Sequence, residues 1–169
     1  MADINAALTA SRQAIEQLIA SGEHCGPLWA APRAPGKWSP SQVVEHVARS
    51  LEESANMAAG RPSKFPTLPA LVHPLVRAFL FRRVLRNGTF PKARTNKAMN
   101  PASGPATAAE GRVRLEAAHE KFAVACRQVA SHDEWMPTTI FGMVRVVDYV
   151  RFTELHTRHH DRQMATQYP

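Results

Sequence analysis

Apolar residues recur every three to four positions along four long stretches of this chain, and this periodicity predicts four long α-helices. The stretches cover about residues 4–21, 40–57, 107–129 and 143–166. Asp3 is a suitable N-cap for the first helix, and Gly22 can close its last turn. A shorter helix is predicted for residues 71–85, interrupted near its start by Pro74.

The start of the second helix carries a strong local signal. In "GKWSPSQVVEHV", Ser39 is placed as the N-cap, Pro40 occupies the first helical position and Gln42 completes an S-x-x-Q capping box. No segment shows a convincing alternation of apolar and polar residues, so no strand is predicted. The sequence therefore predicts an all-α fold, a four-helix bundle formed by a single domain over residues 1–169.

The connection between the second and third long helices, residues 58–106, differs in composition from the rest of the chain. Nine of the 21 Lys and Arg residues lie in it with no Asp or Glu among them, whereas the other 12 face all 14 acids. The nine are Arg61, Lys64, Arg77, Arg82, Arg83, Arg86, Lys92, Arg94 and Lys97. Five prolines lie between Arg61 and Lys97. We interpret it as a basic, proline-rich insertion or long connection that carries the short helix, not as a second domain, and it accounts for the net charge of +7.

Three roles can be assigned to this basic segment. Arg82, Arg83 and Arg86 stand at helical spacing and could bind an anion such as a phosphate or a carboxylate. The stretch "LVRAFLFRRVLR" could instead meet an anionic membrane surface or nucleic acid as a basic amphipathic helix. Phe79 and Phe81 are too few to stack bases, which argues against nucleic acid. The favoured interpretation is a solvated basic cover whose leucines and phenylalanines pack inward.

Size and composition narrow the class of protein. A mass of 18.7 kDa with 44% apolar residues fits one globular domain. No stretch approaches the roughly 18 uninterrupted apolar residues of a membrane span, and the N-terminus lacks the basic start of a signal peptide. Cys25 and Cys126 have no metal-type spacing and are expected to be reduced, so a cytoplasmic protein is predicted.

Three of the eight histidines are crowded into "ELHTRHHDRQ" near the C-terminus. On a helix, His156 and His160 project from one face with Cβ atoms about 5–6 Å apart, which suits two ligands of one metal ion. His159 points about 100° away from His160. A third ligand has to come from another helix, where His46 and His119 each lie at or beside an apolar face. Periodicity does not choose between these two.

Other residues near the histidines have less specific roles. Thr157 stands where the zinc-protease motif H-E-x-x-H has its glutamate, so that general base is missing. Gln163, one turn after His160, could hydrogen-bond a ligand or a water. Tyr149 could reach the pocket, although core packing is the favoured interpretation. No general acid or base beyond the ligands can be identified.

Two motifs in this sequence together resemble the DinB/YfiT-like superfamily of metal-binding helical bundles. That superfamily has W-S-x-x-[EQ]-x-x-x-H where its second helix begins and H-x-x-H-H-x-x-Q in its last helix. The matching residues are Trp38, Ser39, Gln42 and His46, then His156, His159, His160 and Gln163. The segment "HDEWMPTTIFG" also resembles the lead-in to the last helix. The order and separation of the motifs extend the resemblance to nearly the whole chain.

The resemblance implies an up-down-down-up bundle with a long crossover between the second and third helices. It implies one divalent ion, usually zinc or nickel, held by His46, His156 and His160, and so prefers His46 to His119. Such an ion can activate a bound water or thiol, and characterised relatives use it for thiol chemistry. The resemblance also makes a homodimer plausible. We therefore expect a metal-dependent thiol S-transferase or hydrolase acting on a small molecule, with a low-molecular-weight thiol as a candidate substrate. The alternative is a non-catalytic, metal-dependent binding or stress-response module whose basic segment binds an anionic partner.

Overall fold

The computed structural model describes residues 3–32, 34–91 and 95–165, and these are mostly helical. The elements are α1 Ile4–His24, α2 Pro40–Ala58, α3 His73–Val76, α4 Arg82–Asn87, α5 Ala108–His132, β1 Trp135–Thr138, β2 Gly142–Arg145 and α6 Val146–Ala165. A π-helical turn, Arg77–Phe81, joins α3 to α4, and we call residues 73–87 the crossover helix. Short 3-10 turns lie at Gly26–Leu28, Ala70–Val72 and Lys97–Met99. The prediction of a mostly helical chain is confirmed.

The four long helices contribute to one apolar core. α2 packs mainly on α5, and α1 packs on α6 and α5. Leu18, Leu51, Phe122 and Val150 are fully buried in this core, one from each long helix. None of the helices that the structure describes is long and apolar enough to cross a membrane.

The helix starts follow the capping residues in the sequence. Asp3 accepts a hydrogen bond from the Asn5 amide at the start of α1. At the start of α2, the Ser39 hydroxyl accepts from the Gln42 amide at 3.3 Å, and the Gln42 side chain accepts from the Ser39 amide at 3.0 Å. Both halves of the capping box are thus present. At the start of α5, the Thr107 hydroxyl accepts from the Glu110 amide.

The predicted end of α1 at Gly22 is wrong, because the helix continues to His24. Gly22 is buried against Trp29, and a Cβ added to it would lie 2.9 Å from the indole ring. A Cβ on Gly111 of α5 would lie 2.8 Å from the same ring. The two glycines make room for Trp29 between α1 and α5, where its indole N–H donates to the Pro105 carbonyl. Gly22 therefore serves packing, not helix termination.

The prediction that the chain has no strands is also wrong, since residues 135–138 and 142–145 form an antiparallel hairpin. Met136 and Val144 are buried beneath it, whereas Trp135 and Met143 are exposed on its outer face. Four-residue strands are too short for a convincing alternating pattern, and a proline within β1 further weakens the strand signal.

The hairpin also moves the start of the last helix. α6 begins at Val146, not at the predicted Met143, because Met143 is paired in β2 with Pro137. The predicted last residue of that helix, Thr166, lies outside the described residues.

The crossover helix lies against α6 through its apolar side. Phe81 and Val84 are buried, and the Phe81 ring is stacked on Phe152 of α6 with centroids 5.2 Å apart. Pro74 lies in the first turn of the helix, where a missing amide hydrogen costs nothing, so it does not interrupt the helix as predicted. Lys92 and Arg94 of the basic segment lie outside the described residues.

Candidate metal centre

The structure brings His46 of α2 together with His156 and His160 of α6. The Nε2 atom of His156 lies 3.3 Å from that of His46 and 3.2 Å from that of His160. One ring nitrogen from each histidine lies within 4.8 Å of the other two. Zinc with Zn–N bonds of about 2.0–2.1 Å in tetrahedral geometry places two nitrogen ligands about 3.3 Å apart. The three-histidine group could therefore hold one metal ion, and no other such group occurs among the residues that the structure describes.

The orientation of the buried His46 is fixed by the crossover. Its Nδ1 lies 2.8 Å from the Met99 carbonyl oxygen. A carbonyl can only accept, so Nδ1 carries the proton and the lone pair of Nε2 faces His156. Gln42, one turn before His46, donates from its side-chain amide to the carbonyls of Pro101 and Ala102. The same helix start that presents His46 thus also holds the loop that orients it.

The orientation of His160 is fixed within α6. Its Nδ1 donates to the Gln163 side-chain oxygen at 2.9 Å, which leaves Nε2 free to face His156. The Gln163 amide nitrogen donates in turn to Nε2 of His159 at 3.0 Å. Gln163 therefore contacts a candidate ligand directly, whereas His159 stands beside the three-histidine group without joining it.

Three ring nitrogens converge at the centre of the group, and hydrogen bonds among them cannot satisfy all three. The lone pairs of His46 and His160 both approach Nε2 of His156. One proton on that atom can make a good hydrogen bond to only one of them, whereas a cation can bind all three nitrogens. Because the donor set is complete and converges, these residues fit a divalent ion.

Burial keeps these imidazoles neutral. It lowers the pKa of His46, an effect that the hydrogen bond to Met99 partly offsets. It lowers the pKa values of His156 and His160 well below the ordinary value, and the neighbouring imidazoles lower them further. Neutral histidine is the form that binds a metal, so at neutral pH few protons have to be displaced.

Two aromatic rings flank the three-histidine group. The Trp38 ring lies 4.7 Å from the His46 ring, centroid to centroid, and its indole N–H donates to the Asn100 side chain at 3.0 Å. Phe90 of the crossover meets the His156 ring edge-on at 5.5 Å. Apolar surroundings of this kind limit access of water to a metal ion and lower the local dielectric.

Other residues singled out in the sequence lie elsewhere. The Tyr149 hydroxyl shares a 3.1 Å hydrogen bond with Ser54 in the core, and burial raises the pKa of this tyrosine. It lies seven residues before His156, about 10 Å along the helix. Thr157 is buried, and its hydroxyl donates to the Thr153 carbonyl.

The second candidate for the third ligand, His119, is not part of the group. It is buried on α5, and this burial lowers its pKa, with a smaller contribution in the same direction from Arg12 of α1. The three arginines considered for anion binding, Arg82, Arg83 and Arg86, are exposed on the crossover helix. Of the described hydrogen bonds and ion pairs, none joins these arginines to the histidines.

Sequence reasoning missed the crossover residues that contact the group. Three of these residues lie in segments without helical or strand periodicity: Phe90, Met99 and Asn100. Their positions in the fold therefore cannot be predicted from a sequence pattern. The one local signal is Asn96, whose side chain caps the 3-10 turn that ends at Met99.

Comparison with known proteins identifies the chain only at the level of family. No curated protein and no solved structure gives a significant match. The model of one family, described as a protein of unknown function (DUF1569), matches residues 5–167. This match covers nearly all of the 169 residues. The chain therefore belongs to the DUF1569 family.

Proposed function

We propose that this protein binds one divalent metal ion, zinc or nickel, through His46, His156 and His160. We further propose that it is a metal-dependent enzyme of the thiol S-transferase or hydrolase type. The observation that carries the proposal is the convergence of three Nε2 atoms, two of which have their protons on the opposite ring nitrogen. Three neutral nitrogen ligands with further positions left for water or substrate are typical of catalytic zinc sites.

The protein's own residues supply orientation and shelter in this proposal. The Met99 carbonyl and the Gln163 side chain hold the rings of His46 and His160. Trp38 and Phe90 exclude water from two sides. The ion, when bound, supplies the Lewis acidity that lowers the pKa of a water or thiol ligand.

The DinB-like relationship remains part of the proposal, together with its up-down-down-up helix order. The packing of α2 on α5 supports that order, because parallel neighbouring helices need a long connection. The connection from Ala58 to Ala108 is long enough for such a crossover.

The first experiment measures metal content by mass spectrometry on untagged protein. We expect one ion per chain in the wild type, and loss of the ion in His46→Ala, His156→Ala and His160→Ala. His119→Ala is the matched control, because it also removes a buried helical histidine. His159→Ala tests whether the neighbouring imidazole is dispensable.

Two results would contradict the metal proposal. One is a wild-type protein that neither takes up zinc or nickel nor gains thermal stability from them. The other is loss of the ion in His119→Ala as well, which would mean that the alanine variants act through general unfolding. Circular dichroism of each variant distinguishes loss of a metal ligand from general unfolding.

The catalytic part of the proposal is tested on metal-loaded protein. Turnover of a low-molecular-weight thiol with a model electrophile, or of a nitrophenyl ester, should disappear in the three ligand variants and persist in His119→Ala. Metal binding without turnover of either substrate class would favour the alternative, a metal-dependent module without catalysis.

A further inference from the structure

The outer face of the crossover helix is exposed along its whole length. Exposed residues recur at helical spacing from the preceding turn onwards, and the opposite face packs on the protein. The exposed residues are Leu71, Pro74, Leu75, Ala78, Phe79, Arg82, Arg83, Arg86 and Asn87. The exposed face divides in two: every exposed residue from position 71 to 79 is apolar, and every exposed residue from position 82 to 87 is basic or polar.

The apolar half exposes three large side chains to solvent. Leu71 is 94% exposed, Leu75 59% and Phe79 72%. These residues protrude from a helix whose other face already packs inward through Val76, Leu80 and Phe81. The sequence-based interpretation of a cover with its leucines and phenylalanines packed inward is therefore wrong for these three. A helix that is apolar on both faces is normally covered on both faces.

The basic half carries charge that the protein does not neutralise. Among the described residues, no Lys or Arg between positions 61 and 97 forms an ion pair, whereas eight basic residues elsewhere do. Arg82, Arg83 and Arg86 follow Phe79 directly on the exposed face. The segment contains no acid that could offset them.

The hairpin extends the same surface. Arg77 donates to the Met143 carbonyl at 2.7 Å, which holds β2 beside the crossover helix. On the outer face of the hairpin, Trp135, Pro137 and Met143 are exposed. Tryptophan is enriched where proteins meet the interface of a bilayer, because its ring is apolar and its N–H is polar.

From these observations we propose that the outer face of the crossover helix docks on an anionic membrane surface. Leu71, Leu75 and Phe79 enter the acyl boundary, and Arg82, Arg83 and Arg86 contact the lipid phosphates and carboxylates. Protruding apolar side chains beside unpaired arginines are the features of interfacial membrane helices. A second copy of the chain is a poorer occupant, since it would bring the same unpaired positive charge to the contact.

The test is binding to sedimented vesicles at about 0.1 M salt, where the Debye length is about 10 Å. We expect wild-type protein to bind vesicles of equal parts phosphatidylcholine and phosphatidylserine, and to remain in solution with phosphatidylcholine alone. Arg82→Gln/Arg83→Gln/Arg86→Gln should lower the affinity on the order of a hundredfold. Leu71→Ser/Leu75→Ser/Phe79→Ser should lower it by about tenfold or more, since both groups contribute to interfacial binding.

Each triple variant has a matched control. Arg12→Gln/Arg127→Gln/Arg151→Gln removes the same charge from exposed positions of the long helices. Val113→Ser/Val124→Ser removes exposed apolar side chains from α5. Both controls should bind within about twofold of the wild type, since Debye screening limits distant charges.

A second readout reports insertion directly. Cys25 and Cys126 are both buried, so Leu75→Cys offers one accessible thiol for an environment-sensitive dye. We expect its emission to shift to shorter wavelength on anionic vesicles. The proposal is overturned if the wild type does not bind these vesicles. It is also overturned if the apolar triple variant still binds the vesicles and the dye on Leu75→Cys shows no emission shift. A third contradicting result is that the apolar triple variant only converts a dimer to a monomer.

Discussion

At the scale of single residues, the candidate site depends on which nitrogen of each imidazole carries a proton. Met99 and Gln163 settle this for His46 and His160 by accepting from Nδ1. An acceptor of this kind also makes the other nitrogen a better ligand, because it stabilises the positive charge that develops on the ring.

Gln163→Ala should therefore lower zinc affinity by about 10- to 100-fold, because His160 loses the acceptor that orients it. Competition with a chromophoric chelator measures the change. Gln163→Glu keeps an acceptor at the same place and should retain or raise the affinity. Gln128→Ala, an exposed change on α5, is the control. Equal affinity in all four proteins would exclude a role for Gln163.

The residue scale also shows what could be predicted from the sequence. His156 and His160 follow from helical spacing alone, because four residues bring two side chains to one face. The choice of His46 over His119 does not, since both lie on core-facing positions of their helices. That choice depends on which helix face packs beside His156 and His160 of α6, and tertiary packing decides this.

At the scale of elements, the first turn of α2 has two functions. The capping box starts the helix that carries His46, and Gln42 also binds the carbonyls of Pro101 and Ala102 at the end of the crossover. Ser39 takes part only in the first function, so the two residues of the capping box can be separated by experiment.

Ser39→Ala should lower the free energy of unfolding by about 1 kcal/mol, the usual effect of losing an N-cap, and leave metal affinity nearly unchanged. Gln42→Ala should lower stability by a similar amount and also lower metal affinity by about tenfold, because the loop beside Met99 loses its anchor. Urea unfolding and chelator competition measure the two effects. The model of a dual role fails if both variants bind metal equally.

The elements differ in how far the sequence predicts them. The start of α2 is encoded by neighbours three residues apart, and that prediction is confirmed. The end of α1 is not encoded locally, since Gly22 could either close the helix or make room for Trp29. The tertiary contact with Trp29 decides between these two roles. The hairpin was missed because its strands have four residues each.

At the scale of the whole molecule, response to acid is a property of the buried core. His119 packs between α5 and α1, with Arg12, Glu16, Glu120 and Arg127 as the nearby charges. Burial is the main cause that lowers the pKa of His119, and its Nε2 has no hydrogen-bond partner among the described residues. Protonation of this ring is therefore unfavourable in the folded state.

The sign of the pH effect follows from the lowered pKa. The unfolded chain takes up a proton on this residue near pH 6.5, before the folded protein does. Stability is therefore lost as pH falls below about 6.5 toward the folded pKa. His119→Leu should lose less stability than wild type between about pH 7.5 and pH 5.5 in urea unfolding. Parallel losses in the two proteins would contradict this assignment.

The hydrogen bond between His46 and Met99 would link the proposed ion thermodynamically to the crossover. A bound ion that fixes His46 also favours the position of Met99, and thus the arrangement of the crossover around the site. Linkage is reciprocal, so a surface that binds the crossover must change ion affinity by the same factor by which the ion changes surface binding. Metal occupancy and membrane occupancy would then report on each other, and adding vesicles to the chelator titration measures the coupling in one experiment.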